Sequence, residues 1–287
     1  MRLIAQEPLK ISGSTSQLSF TTTGGGWWKV WDRFISLDGE QLFHIGNVCG
    51  TCEFFFRRVI ERFVPSLEIA SIRTALENGI QSLDLTAKTF AELLPDGNYI
   101  AALFVAEPHL VGTGKAEDYF STDQRQAWRG DGSAPASGYY RGESRPIRNR
   151  EKMFEFVIPL YDVAKLNPER VEHYRRIISH GGLPTAVSIG VLDVKESMSW
   201  PEQDGKEIEP DFRGHWCFAN YLLDGHHKMA AASESEMPLT LLAFISIDHS
   251  WKLVDDLVRF YEGGPLRREP VVSVDTGGTI TSFDSLP

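Results

Sequence analysis

Cysteine is scarce in this chain, and the few that are present cannot form a closed set of disulfides. Cys49, Cys52 and Cys217 make an odd number in 287 residues, and the first two stand only three positions apart, so no disulfide framework is expected. Long apolar runs are also lacking. No stretch reaches the ~18 to 20 uninterrupted apolar residues that a membrane-spanning helix needs. The opening segment MRLIAQEPLK does not follow the basic-then-apolar order of a secretory leader, and the expected location is cytoplasmic. Basic residues are outnumbered, 29 Lys and Arg against 39 Asp and Glu, for a formal charge of −10. That balance excludes a protein whose main task is to coat nucleic acid or an anionic membrane, while leaving room for a local basic groove. What is present is 42% hydrophobic and 24% charged, which excludes disorder over most of the chain.

The length fits one large domain or two ordinary ones, and no internal repeat is evident. The first 26 residues, ending in TTTGGG, read as a flexible or edge-strand lead. Between Trp27 and Gly46, two apolar runs flank Asp38-Gly39, a pair favoured in tight hairpins. After VCGTC, residues Phe56, Val59, Ile60, Phe63 and Val64 fall at helical spacing, so a helix is expected to start close to Cys52 and to stop at Pro65. Helices are also expected over 67–80 and 83–94, followed by a buried strand from Tyr99.

Residues 107–150 carry no clear period and are long for an idle loop. Beyond them the rhythm is regular. Strands are expected at FEFVIPL, TAVSIGVLDV, CFANYLL and LTLLAFISI, with helices from Pro168, from about His227 and from Ser250. Such alternation indicates an α/β layer architecture. The helix at 168 is marked by Asn167 as cap, Pro168 at the first position, Glu169 in the first turn and Gly181 past the end. The expected organisation is a mixed α/β N-terminal domain over 1–150, a second α/β (α+β) domain over 151–265, and a tail over 266–287.

Three features could carry chemistry. The first is His44 with Cys49 and Cys52. A Cys-x2-Cys pair can place two thiolates on one zinc ion at ~2.3 Å, with His44, His109, Glu53 or another chain completing four ligands. The same pair before a helix start also suits redox chemistry, and both cysteines suit small buried positions. The second is the loop holding Glu107-Pro-His109, Gly112-Thr-Gly114-Lys115 and the acids Glu117, Asp118 and Asp123. Its glycines lack the full phosphate-loop spacing, and its acids could hold Mg2+. Nearby, Tyr139-Tyr140-Arg141 could stack a base or seal a loop onto a core.

The third is Asp224-Gly225-His226-His227-Lys228. A buried strand ends at Asp224, Gly225 permits a sharp turn, and a helix of small residues follows at once. The free amides of that helix start form an anion site, with two imidazoles and an ammonium around it. Phosphate is the natural ligand. The bland alternative is that both histidines and Lys228 are solvated surface groups.

The order of parts around this turn resembles the ParB/sulfiredoxin superfamily over about residues 153–250. Those parts are a strand with Pro-Leu, the Asn-Pro-x-Arg-Val helix, a Gly-Gly-x-Pro lead into the next strand, and the strand-Asp-Gly-His-His-basic-helix signature. It looks most like the branch with Asp-Gly-His-His-Arg, which includes ADP-dependent free serine kinases. The resemblance implies a ParB/sulfiredoxin-like domain whose phosphate-binding turn is Asp224, Gly225, His226, His227 and Lys228; Arg170, in the Asn-Pro-x-Arg-Val helix, either faces the same pocket or is an exposed helical charge. Lysine stands where arginine is usual, which keeps the charge and loses the bidentate fork. Glu169 and Glu172 are the nearby acids able to act as base, with His227 as a third catalytic candidate. The kinases carry their catalytic glutamate in a Pro-His-Glu-Glu-like stretch before this helix; this chain has Val163-Ala-Lys-Leu. It also lacks the cysteine of the sulfiredoxin turn and the Gly-Glu-Arg-Arg-like turn of the partitioning branch.

Two functions follow as expectations. One is a nucleotide-binding phosphotransferase or nucleotide hydrolase acting on a small molecule, with ATP or ADP, or CTP, and Mg2+ for catalysis. The other is a non-catalytic sensor of a nucleotide or phosphometabolite that signals to a protein partner or acts as a homodimer, with Zn2+ as an option. A nuclease is disfavoured, because residues 153–260 hold 10 Lys and Arg against 17 Asp and Glu.

Overall fold

A computed structural model of the chain describes residues 1–24, 31–48, 56–60, 76–77, 79–80, 83, 90, 93–112, 138–148, 151–196, 214–250 and 254–264. Thirteen strands lie among them: β1 Arg2–Ile11, β2 Leu18–Gly24, β3 Trp31–Leu37, β4 Glu40–Val48, β5 Arg57–Arg58, β6 Gly97–Ala106, β7 His109–Val111, β8 Tyr139–Arg141, β9 Arg145–Arg148, β10 Glu151–Pro159, β11 Thr185–Glu196, β12 Gly214–Asp224 and β13 Leu239–Ser246. Among the described residues the helices with both ends described are α1 Pro168–Ser179, α2 His226–Glu234 and α3 Val254–Tyr261, with a 3₁₀ turn at Val163–Lys165, and Leu76, Glu77, Leu83 and Phe90 are also helical. The chain is therefore mixed α/β, with much strand and few helices among the described residues.

Nine strands form one mixed sheet in the order β1-β6-β13-β11-β12-β10-β8-β7, with β9 also paired to β10. The β13–β11 and β10–β12 pairs are parallel and the others antiparallel. This sheet draws strands from both sides of residue 150: β1 and β6 reach β13, and β9 pairs with β10. A second sheet, β2-β3-β4-β5, is antiparallel throughout. The β3–β4 turn has Asp38 at φ 50 and Gly39 at φ 78, the double positive φ of the two-residue hairpin that this pair favours.

Both faces of the large sheet are covered, and its central strands show this in their composition. Every residue of β13 is buried. Leu242 and Phe244 face one core with Ile35, Phe43 and Ile45 of the small sheet, whereas Leu241, Ala243 and Ile245 face the other core with the helices. A continuous apolar run, rather than an alternating one, is what a strand covered on both faces requires. The layers are thus helices, large sheet, small sheet. The two sheets are pinned by Arg33, buried at 7% exposure, which donates to Asp193 at 2.7 Å and to the carbonyls of Ile45 and His249 at 3.0 Å each.

The strands and helices expected after residue 150 are present, with α2 opening at His226 and α3 described from Val254. Asn167 caps α1 by accepting from the amides of Glu169 and Arg170, and Gly181 closes it at φ 84. One expectation is corrected. Arg57–Arg58 is a strand paired to Phe43 and His44, not part of a helix begun near Cys52. Phe56 and Arg58 are buried while Val59 is exposed, so apolar spacing that also fits a helix is used here at the edge of a sheet. Most of the proposed helices at 67–80 and 83–94, the residues Cys49 and Cys52, and the 266–287 tail lie outside the described residues. No helix of the described residues is long and apolar enough to cross a membrane.

Candidate functional site

The turn between β12 and α2 is built around Gly225. Its φ of 91 and ψ of 22 lie in the left-handed region, and a Cβ there would sit 2.7 Å from the Ala186 Cβ on the neighbouring strand β11. Both conformation and space therefore call for glycine. Helix α2 then opens without a capping side chain, its first bond running from the Met229 amide to the Gly225 carbonyl at 2.8 Å. The amides of its first turn are left for another acceptor, and the macrodipole makes that acceptor an anion. Ala230, Ala231 and Ala232 are buried, so the helix lies close on the sheet and the turn is held rigidly.

His226 is 6% exposed, and its Nε2 accepts the Leu160 amide hydrogen at 3.0 Å. Burial, assisted by the His227 and Arg58 charges, pushes its pKa down to about 3. The ring is neutral near pH 7, with its proton on Nδ1. His227 is half-buried, and its Nε2 accepts the Asn167 amide hydrogen at 3.2 Å. Burial and then Arg170 lower its pKa, against the opposing effect of Asp224. Both imidazoles thus join the turn to the chain that leads into α1, and the positive charge comes from other groups.

Lys228 is one of those groups. It is 4% exposed, donates to the Thr185 carbonyl at 2.9 Å, lies 3.6 Å from the Asp224 carboxylate, and sits over the Tyr174 ring at 5.7 Å. Burial lowers its pKa, and the carboxylates of Asp224 and Glu77 work against that. Arg170, exposed in the first turn of α1, acts electrostatically on Tyr174, His227 and Lys228. Asp224, His227, Lys228 and Arg170 are therefore brought together. Of the proposed bases, Glu169 is exposed at the start of α1. Glu172 is committed to Arg175 at 3.4 Å and Arg176 at 3.3 Å. Two residues from the first half of the chain reach this region without a sequence motif to announce them. Arg58 donates to the Leu160 carbonyl at 3.3 Å, and Glu77 acts electrostatically on Lys228 and Tyr174.

Elsewhere, His44 contacts Asp32 at 3.1 Å and stacks on Phe34; burial takes its pKa down to about 4. Its proposed co-ligands Cys49 and Cys52 lie outside the described residues, among which no group of three His, Cys, Asp or Glu could hold a metal ion. Cys217 is buried. Tyr139, Tyr140 and Arg141 are buried, and the Arg141 guanidinium lies 4.8 Å from the Phe156 ring centroid, sealing β8 onto the core. Residues 113–137, with the Gly-Thr-Gly-Lys stretch beyond Gly112 and the acids Glu117, Asp118 and Asp123, lie outside the described residues. Compared with known proteins, the chain matches no family model, no curated protein and no solved structure.

Proposed function

We propose that the Asp224–Lys228 turn holds the phosphates of a nucleotide, and that the chain is a nucleotide-dependent phosphotransferase or nucleotide hydrolase built on a ParB/sulfiredoxin-like unit over about residues 153–250. The observation that carries this reading is the uncapped start of α2, with Lys228 in its first turn and the charge of Arg170 acting on His227 and Lys228. Backbone amides, one ammonium and one guanidinium are the donor types that a phosphate chain takes. The order β10-α1-β11-β12-turn-α2-β13 and the left-handed Gly225 support the architecture.

In this mechanism the chain contributes position and charge neutralisation, the main protein terms in phosphoryl transfer. The α2 amides and Arg170 hold the non-bridging oxygens, and Lys228 offsets their charge from below. An incoming hydroxyl or water forms the new bond to the terminal phosphorus as the bridging bond to the leaving phosphate breaks, and its proton passes to a carboxylate. Glu77 and Asp224 are the carboxylates that act on Lys228, ahead of Glu169 and Glu172 on the outer side of α1. Mg2+ would supply further charge neutralisation at the phosphates. The sensor reading draws on a different observation: both imidazoles are engaged with backbone amides, so His227 serves as a fixed joint.

Titration calorimetry and thermal melts with ADP, ATP and CTP test the site on wild type, Arg170→Gln and Lys228→Met. We expect one nucleotide to raise the melting temperature and both variants to weaken binding about tenfold or more, in line with lost charge-assisted bonds. Phosphate release or transfer that falls in Glu77→Gln identifies an enzyme; binding without turnover identifies a sensor. Absence of any nucleotide-induced shift, or wild-type affinity in both variants, overturns the phosphate site.

A further inference from the structure

Two consecutive arginines serve different parts of the molecule. Arg57 and Arg58 form β5, and successive side chains of a strand point to opposite faces. Arg57 lies opposite His44 in the register, and its charge acts on that ring within the small sheet. Arg58 reaches out of the small sheet. It is buried, donates to the Leu160 carbonyl at 3.3 Å, and its charge acts on His226. Leu160 is buried as well, and both of its backbone polar groups are engaged, the carbonyl by Arg58 and the N–H by the His226 Nε2 at 3.0 Å.

The tautomer of His226 follows from this grip. A buried carbonyl that loses its donor is costly, so Leu160 without Arg58 would turn its backbone toward another donor and carry its N–H away from the imidazole. While that N–H stays in place, Nε2 must hold the lone pair and Nδ1 the proton. The choice matters because Nδ1 has no hydrogen-bond partner among the described residues. In one tautomer it offers an N–H to a ligand oxygen; in the other it offers a lone pair, which repels that oxygen. The buried guanidinium acts in the same sense, by disfavouring a second proton on the ring. The other groups that face the ring are His227, whose charge acts in that direction too, and the Tyr161 ring at 4.6 Å.

We propose that Arg58 is a positioning residue of the turn: acting through Leu160, it fixes the His226 ring as a neutral group with its proton on Nδ1, so that the start of α2 presents an N–H to an anionic oxygen. The fixed tautomer is a property of the chain alone. Its use in holding a ligand rests on the phosphate reading of the turn.

Imidazole nitrogen NMR of the full chain reads the His226 tautomer directly, in wild type, Arg58→Met, Arg58→Lys and Arg57→Met, and calorimetry with ATP, ADP and CTP reads the turn. We expect a single Nδ1–H tautomer in wild type and in Arg57→Met, which removes the same charge one residue away. Arg58→Met mixes the two tautomers and raises the nucleotide Kd about tenfold, and Arg58→Lys, which keeps a donor and a charge, restores both. If Arg58→Met does not fold, Arg58→Gln, whose shorter side chain keeps a polar group at the site, takes its place in the same comparison. The proposal is overturned by an Nε2–H tautomer in wild type, by a wild-type His226 spectrum once Arg58 is replaced, or by the same change in Arg57→Met. An altered tautomer with unchanged Kd removes His226 from ligand binding. A wild type that binds no nucleotide, with His226 still altered when Arg58 is replaced, overturns the phosphate reading and leaves Arg58 as the residue that sets the tautomer.

Discussion

The Nε2 of His226 lies 3.0 Å from the Leu160 amide nitrogen and accepts its hydrogen, joining the first residue of α2 to the chain just past β10. The bond requires the neutral ring. A protonated imidazole would present N–H to N–H in a site that is 6% exposed, so the turn holds together only while His226 stays uncharged.

Stability should therefore depend on pH in one direction. His226 titrates at about 3 in the folded chain against an ordinary value of 6.5, so between those values the unfolded chain takes up a proton that the folded chain refuses. The folded state is favoured in full above about pH 6.5 and loses about 2 kcal/mol from this residue by pH 5. His44, lowered to about 4, acts in the same sense. Urea melts at pH 7.5 and pH 5.0 should show the loss, and His226→Gln should flatten it. Equal pH dependence in wild type and variant would mean that the ring is not held neutral.

Gly225→Ala should be among the most damaging single-methyl changes in the chain. The new Cβ meets Ala186 at 2.7 Å while the backbone stays at φ 91, so strain and overlap combine to cost about 2 to 4 kcal/mol. The melting temperature reads the loss directly. A variant as stable as wild type would place the turn in another conformation.

Arg33 and Asp193 form a buried pair between the two sheets. Removing one member strands the other charge, so Arg33→Met should cost about 3 to 5 kcal/mol, whereas Arg33→Met/Asp193→Leu should recover most of it. Denaturant midpoints for the two variants test this coupling. Additive losses would mean that each residue acts through separate partners.

Asn167→Ala removes the cap of α1 and should cost about 1 kcal/mol. The same change frays the turn that carries Arg170, so nucleotide affinity should fall further than stability alone explains. Comparing the shift in melting temperature with the shift in Kd separates the two effects.

Local chemistry was legible from the residues themselves. Asn167, Pro168 and Gly181 mark the limits of α1, Asp38-Gly39 marks a hairpin, and the apolar runs after residue 150 mark strands, because each depends on neighbours within a few positions. What depends on distant partners was not legible. Phe56 to Ile60 carries a helical spacing that a two-residue edge strand satisfies equally well. Glu77 and Arg58 reach the turn only because the small sheet and the segment near residue 77 pack beside it. The buried carboxylate of Glu155, shared by the Met1 ammonium, Arg145 and the Tyr261 hydroxyl, has no local pattern at all. The orientation of both imidazoles was equally hidden, since it is set by amides 60 and 66 residues away in the chain.

Strand β13 lies between β6 and β11, so residues 239–246 join strands whose sequence partners begin more than a hundred positions earlier on one side and about fifty on the other. On the ribosome, β1 and β6 can pair with each other long before β13 has been made, but they have no place in the large sheet until it arrives. Joining of β1 and β6 to the rest of that sheet therefore waits for β13, and the chain should refold slowly, with the β1–β6 pair exposed to misassociation until β13 is in place.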